Sequence, residues 1–97
     1  MNLPIILSPA ATRDVEAAAE RYEKDAGLGT RFVARVQEAF DRIGQMPESH
    51  AVAYRDIRRA RMAQFPYNVY YRVLADRVEI LAVVHGRRDP SAWQSRV

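Results

Sequence analysis

The hydrophobic period changes once along this chain, at Pro47, and that change constrains the fold more than any other feature. Before it, Ala11, Val15, Ala18, Tyr22 and Ala26 recur at helical spacing, while Arg13, Glu16, Glu20 and Lys24 take the other face. Ser8 and Pro9 read as cap and first residue, because Ser accepts from orphan amides and Pro has no amide to lose. Gly27 can take the left-handed conformation that ends a helix. A second stripe follows at once, Phe32, Val36, Phe40 and Ile43, widened by Val33 and Ala39. Helices are therefore expected at 9–26 and 28–45, and so short a link folds them into an antiparallel hairpin.

After Pro47 the period is that of strands. Pro4 to Leu7 gives a short first strand, and three more are expected within 55–86. Ile57 to Met62 carries Arg58, Arg59 and Arg61. Tyr67 to Leu74 alternates, with Tyr67, Val69, Tyr71 and Val73 on one face and Asn68, Tyr70, Arg72 and Leu74 on the other. Arg77 to His85 is apolar on both faces over most of its length, as in a central strand. Ala75-Asp76 suits a tight turn, and Pro90 to Val97 suits a short tail helix capped by Asp89. The expectation is one α+β domain over 1–97: a first strand, a helical hairpin, a three-strand antiparallel meander and a tail, with the hairpin packed on one sheet face. Phe32, Val36, Phe40, Tyr71, Ile80 and Val84 should meet between hairpin and sheet.

Ninety-seven residues support one modest core, burying roughly 60–70% of the unfolded chain's surface, and no deep cavity for a small-molecule substrate. Without cysteine there is no disulfide and no thiolate metal site. Neither histidine has a second ligand at metal spacing, so no metal or cofactor is expected. The apolar run in residues 1–8 is too short for a signal peptide and no stretch approaches a membrane span, so the expected location is the cytoplasm. Charge divides the chain. Residues 1–53 hold six cations and eight anions; residues 54–97 hold nine cations, all Arg, and four anions, so −2 and +5 make the net +3. An Arg-only cationic half suits nucleic acid or an acidic protein segment, and equally a solvated sheet face.

The most specific run is Phe65-Pro66-Tyr67-Asn68-Val69-Tyr70-Tyr71-Arg72, then Val78 to His85, then Gly86-Arg87-Arg88-Asp89-Pro90 and Trp93. It resembles the C-terminal signature of ParE/RelE-family toxins, whose strands end in a His-x-x-Arg-Asp-Pro type corner followed by an aromatic. The resemblance extends upstream to the Arg-rich strand and the Ser-Pro-Ala-Ala helix start. It implies the toxin of a bacterial type II pair, neutralised by a cognate acidic antitoxin. RelE-like members cleave messenger RNA in the ribosome, and ParE-like members inhibit DNA gyrase. The arginine that RelE-like members carry in the third strand falls on Asn68, and their terminal Tyr falls near Trp93 and Gln94. Two proton-handling or charge-bearing groups are thus missing, which favours the ParE branch and a non-enzymatic toxin. The alternatives are a metal-independent ribonuclease using Arg61, Arg72 and Arg88, and a degenerate toxin that only forms complexes.

Candidate target or partner contacts are Arg59, Arg61, Tyr70, Arg72, Arg87, Arg88 and Trp93. Arg59 and Arg61 share one face of their strand, where they serve either as edge protection or as a docking rail. Tyr70 either stacks on a partner or lies against Leu74 or Leu81, and Trp93 either anchors the tail or forms an interface. One of Arg87 and Arg88 is expected to pair with Asp89 or cap the tail. His85 is expected to be structural and hydrogen-bonded, and His50 has no evident partner.

Overall fold

The computed structural model describes residues 2–97. Strand β1 (Ile5–Leu7) leads into helix α1 (Pro9–Ala26). The Ser8 hydroxyl accepts from the Ala11 amide at 3.1 Å, so the cap is the one the Ser-Pro pair announces. Gly27 sits at φ 67°, and the amides of Gly27 and Leu28 close onto the carbonyls of Glu23 and Tyr22 at 2.9 and 3.1 Å. Helix α2 (Gly29–Gln45) begins immediately, its first amide bonded to the Glu23 carboxylate at 3.1 Å. The corner tolerates no side chain at Gly29, where a Cβ would lie 2.8 Å from the Ala19 carbonyl oxygen.

Four antiparallel strands follow: β2 (Val52–Tyr54), β3 (Ile57–Arg61), β4 (Tyr67–Val73) and β5 (Val78–His85). With β1 they form one sheet in the order β1-β5-β4-β3-β2, β1 lying parallel to β5. The turn at Ala75-Asp76 is the expected tight one, with the Leu74 amide on the Arg77 carbonyl at 2.8 Å. A short helix, α3 (Ser91–Gln94), ends the chain and is shorter than the tail helix expected over 90–97.

β2 corrects one expectation. The Arg-bearing strand β3 is not an edge: Val52 pairs with Arg58, Tyr54 with Ile57, and the Arg59 amide reaches the Ala51 carbonyl at 3.0 Å. Three half-exposed residues have no room to show alternation, so only the pairing reveals that strand. The exposed edges of the sheet are β2 and β1.

The helix-side face holds the larger core. Phe32, Val36, Ala39, Phe40 and Ile43 of α2 meet Val69 and Tyr71 of β4 and Val78, Ile80 and Val83 of β5. Phe32 is the hub of an aromatic group, 5.2 Å from Tyr22, 5.2 Å from Phe65 and 5.1 Å from Tyr67. Val84 is not part of it. Tyr70 pairs with Ala82 but Tyr71 with Ile80, so Leu81 is an extra residue in β5. Such a bulge shifts the two-residue alternation by one place. Beyond it Val83 faces the hairpin, while Val84 turns to the opposite face.

That opposite face carries a smaller cluster: Ile57, Tyr70, Leu81, Ala82, Val84 and Trp93. Trp93 stacks on Tyr70 with ring centroids 3.9 Å apart and meets Tyr54 edge-on at 5.9 Å. The tail is tied down by charge. Arg96 grips the Asp14 carboxylate with two bonds of 2.6 and 3.1 Å and reaches the Leu81 carbonyl at 3.0 Å.

Candidate target and partner surface

The sheet leaves two open places near the β4–β5 end opposite the tight turn. The first is a cleft of about 330 Å³ on the face away from the hairpin. Ile57 packs into the second cluster and Ala60 into the first, so the alternation of β3 sends Arg59 and Arg61 to the same side as Ile57. Asn68 lies directly across from Arg61 in the β3–β4 ladder. Arg87 enters from the β5–α3 corner, and Gly86 leaves the floor bare, its missing Cβ 3.6 Å from the Asn68 amide nitrogen. The side chains of Arg59, Arg61 and Arg87 form no ion pair among the described residues. Among the described residues, no carboxylate lines the cleft.

The second is a groove of about 600 Å³ between α1 and the upper edge of β5. β1 pairs with β5 only as far as Ile80, so the next backbone groups have no strand beside them. Side chains fill the gap: the Val83 amide donates to Asp14 at 3.0 Å, and the Leu81 carbonyl accepts from Arg96. Arg13, Arg21 and Arg88 line this groove together with Asp14 and Asp25, so its charges are mixed. Tyr67 and His85 border both openings, which makes them one continuous rim.

The sequence-derived residues therefore separate. Arg59, Arg61 and Arg87 converge on the cleft, whereas Arg88 turns into the groove. Arg72 lies at the other end of β4, 3.0 Å from Asp56 and 3.9 Å from Glu79, and is already paired. Arg61, Arg72 and Arg88 thus do not share a site. Tyr70 and Trp93 are buried against each other, 6% and 5% exposed, so neither is presented for contact. Trp93 is a tail anchor, and Tyr70 lies in the cluster with Leu81. Neither corner arginine pairs with Asp89; that carboxylate accepts from the Ser91 amide at 2.9 Å, which holds its pKa below the ordinary value.

Both histidines are hydrogen-bonded within the fold. His85 Nδ1 accepts from the Arg87 amide at 3.0 Å and its ring lies 5.5 Å from Tyr67. His50 Nδ1 lies 3.2 Å from the Tyr71 hydroxyl, which donates to the Pro47 carbonyl at 2.5 Å. Burial first, then Arg42 and Arg58, lower the His50 pKa. Among the described residues no group of His, Cys, Asp or Glu is placed to hold a metal ion, and no helix is long and apolar enough to cross a membrane.

Sequence reading missed Asp14, Arg21 and Arg96. Arg13, Ala17 and Arg21 recur at four-residue steps on α1, a visible signal for one lined face. The bond from Arg96 to Asp14 spans 82 positions and has no local signature.

Comparison with known proteins agrees with this architecture. The family described as "ParE toxin of type II toxin-antitoxin system, parDE" matches residues 5–90. Toxin ParE2 of Mycobacterium tuberculosis, found in two strains, is 34% identical over 56 residues, 58% of this chain. The chain spans about half the length of these curated relatives, 53%. A solved structure titled "Chromosomal ParDE TA system from P. aeruginosa" superposes with a TM-score of 0.76 at 17% identity, over 86% of this chain and 95% of that one. With 5–90 matched by the family, the chain belongs to the ParE toxins of type II toxin–antitoxin systems.

Proposed function

We infer that this protein is a cytoplasmic toxin that inhibits a nucleic-acid machine, with DNA gyrase as the candidate target, and that a cognate acidic antitoxin silences it. The observation carrying this reading is the cleft in which Arg59, Arg61 and Arg87 converge without a carboxylate. A domain this small gains nothing in stability by gathering unpaired like charges, so the cluster is best explained by a partner that supplies the anions. The neighbouring groove supports the antitoxin half of the reading. It lies between α1 and β5, and because the Val83 amide and the Leu81 carbonyl are already held by Asp14 and Arg96, it suits a helical segment laid into a groove better than an added strand. Because Tyr67 and His85 border both openings, one antitoxin segment can fill the groove and set carboxylates over Arg59 and Arg61.

The ribonuclease reading has less support. Asn68 occupies the strand position where a catalytic arginine would stand, Trp93 is stacked in the second cluster, and Arg72 is paired at the far end of β4. General acid–base chemistry on a 2′-hydroxyl needs its groups within hydrogen-bond reach of one phosphate. Induction without antitoxin separates the readings: DNA-damage signalling is expected, and messenger RNA decay in its place would favour the ribonuclease. Growth without either response would leave only complex formation. For the antitoxin, a variant with Arg59→Glu and Arg61→Glu should associate roughly tenfold more slowly at low salt, with a flatter salt dependence. An unchanged rate would refute the docking rail.

A further inference from the structure

We propose that the cleft of Arg59, Arg61, Asn68 and Arg87 is a phosphate site that holds the backbone of a nucleic-acid strand. The proposal rests on the toxin reading in one respect, that this cleft faces the target.

Its polar groups offer donors. Arg59 and Arg61 come from one strand, Arg87 from the corner beyond β5, and the Asn68 side chain from the floor. Asn68 is 9% exposed and spends one amide hydrogen on the Tyr70 hydroxyl at 3.4 Å, a long bond. The other hydrogen remains for a ligand. His85 Nδ1 is occupied as an acceptor, which leaves Nε2 to carry a ring proton and to add a further donor to the rim. A cleft with three unpaired guanidinium groups and, among the described residues, no carboxylate in its lining selects an anion.

Geometry selects the kind of anion. A carboxylate has two coplanar oxygens, and one guanidinium fork saturates its bidentate edge. Three forks arriving from two elements exceed what one carboxylate can accept, and the two-residue spacing of Arg59 and Arg61 along β3 suits successive phosphates of one strand. Phe65 and Tyr67 are buried in the helix-side core and Trp93 is stacked on Tyr70, so the cleft offers no free aromatic face for bases. Binding should accordingly follow the backbone and ignore sequence.

The test uses the whole chain and a labelled mixed-sequence single-stranded oligodeoxynucleotide of about 12 nucleotides, titrated at several salt concentrations. Three phosphate contacts predict that log Kd rises with log salt at a slope of about 2. Arg61→Ala and Arg87→Ala should each lower that slope by about 0.7 and weaken binding at least fivefold. Arg87→Lys, which keeps charge without the fork, should fall between. Arg77→Ala, the same charge change at the opposite end of the β4–β5 hairpin, should stay within about twofold. An Arg77→Ala loss equal to that of Arg87→Ala would reduce the site to diffuse charge and overturn the proposal. So would inorganic pyrophosphate occupying the cleft while the oligonucleotide does not bind. A glutamate-rich peptide held more tightly than the oligonucleotide, and released by Arg87→Ala, would reassign the cleft to carboxylates. If oligonucleotide binding fails while induction still arrests growth, only the phosphate assignment falls. If binding holds while induction is harmless, the toxin reading falls and the site stands.

Discussion

The two faces of the sheet are built differently. The hairpin covers one face with two long helices whose contacts repeat every three or four residues, so each buried side chain is backed by several others. The opposite face is covered by a four-residue helix, one tryptophan and one ion pair, and only in part. Stability therefore concentrates on the first face, and the open part of the second is where unpaired charge can gather. A small domain cannot cover both faces of a five-strand sheet with helices, and here the uncovered part carries Arg59, Arg61 and Arg87.

The largest expected effect belongs to the helix side. Phe32→Ala removes a fully buried ring that touches three other aromatics, and should lower unfolding stability by about 3–5 kcal/mol, with Phe40→Ala in the same range. Urea denaturation checks this; a loss below about 1 kcal/mol would place either residue outside the core.

Trp93→Ala should be milder, about 2 kcal/mol, because α3 can leave without disturbing the hairpin core. Trp93 is the only tryptophan, so its fluorescence reports on the tail alone. Its transition in urea should precede the loss of helical circular dichroism. Coincident transitions would show that the two faces unfold as one.

Asp14→Asn sharpens the same contrast. It weakens the two-pronged hold on Arg96 but keeps an acceptor for the Val83 amide. Both side chains are partly screened by solvent, so a loss of about 1–2 kcal/mol is expected, with increased hydrogen exchange confined to the tail and upper β5. Protection lost equally from α2 would contradict the division.

The smallest effect is a pH dependence. Burial, then Arg42 and Arg58, disfavour protonation of His50, with Tyr71 and Ser49 as its hydrogen-bonding neighbours. Its folded pKa lies below the ordinary value of about 6.5. The stabilising preference for the neutral ring is complete above that value and is lost as pH falls through the folded pKa. His50→Gln should flatten the fall in stability as pH drops below about 6.5; an unaltered profile would exclude His50 as its source.

The same division explains what the sequence made legible. Repeating patterns were readable: the stripes of α1 and α2, their Ser-Pro start and Gly27 stop, and the alternation of β4. Val84 was misplaced because a single extra residue, Leu81, reverses the alternation and leaves no mark in an all-apolar run. β2 was missed because three residues are too few to show a period. At the site, the convergence of Arg59 and Arg61 followed from strand geometry, but the opposite fates of Arg87 and Arg88 depend on a turn. The burial of Tyr70 depends on Trp93 arriving from 23 positions away. Periodic contacts are written locally, and single long-range contacts are not.

The most direct measurement is gyrase supercoiling of relaxed plasmid in the presence of the purified chain, compared with a variant carrying Arg59→Ala, Arg61→Ala and Arg87→Ala. The unmodified protein should block supercoiling, and the variant should lose most of that inhibition with its melting temperature unchanged. Equal inhibition by both proteins would contradict the assignment of the open arginine cleft as the acting surface.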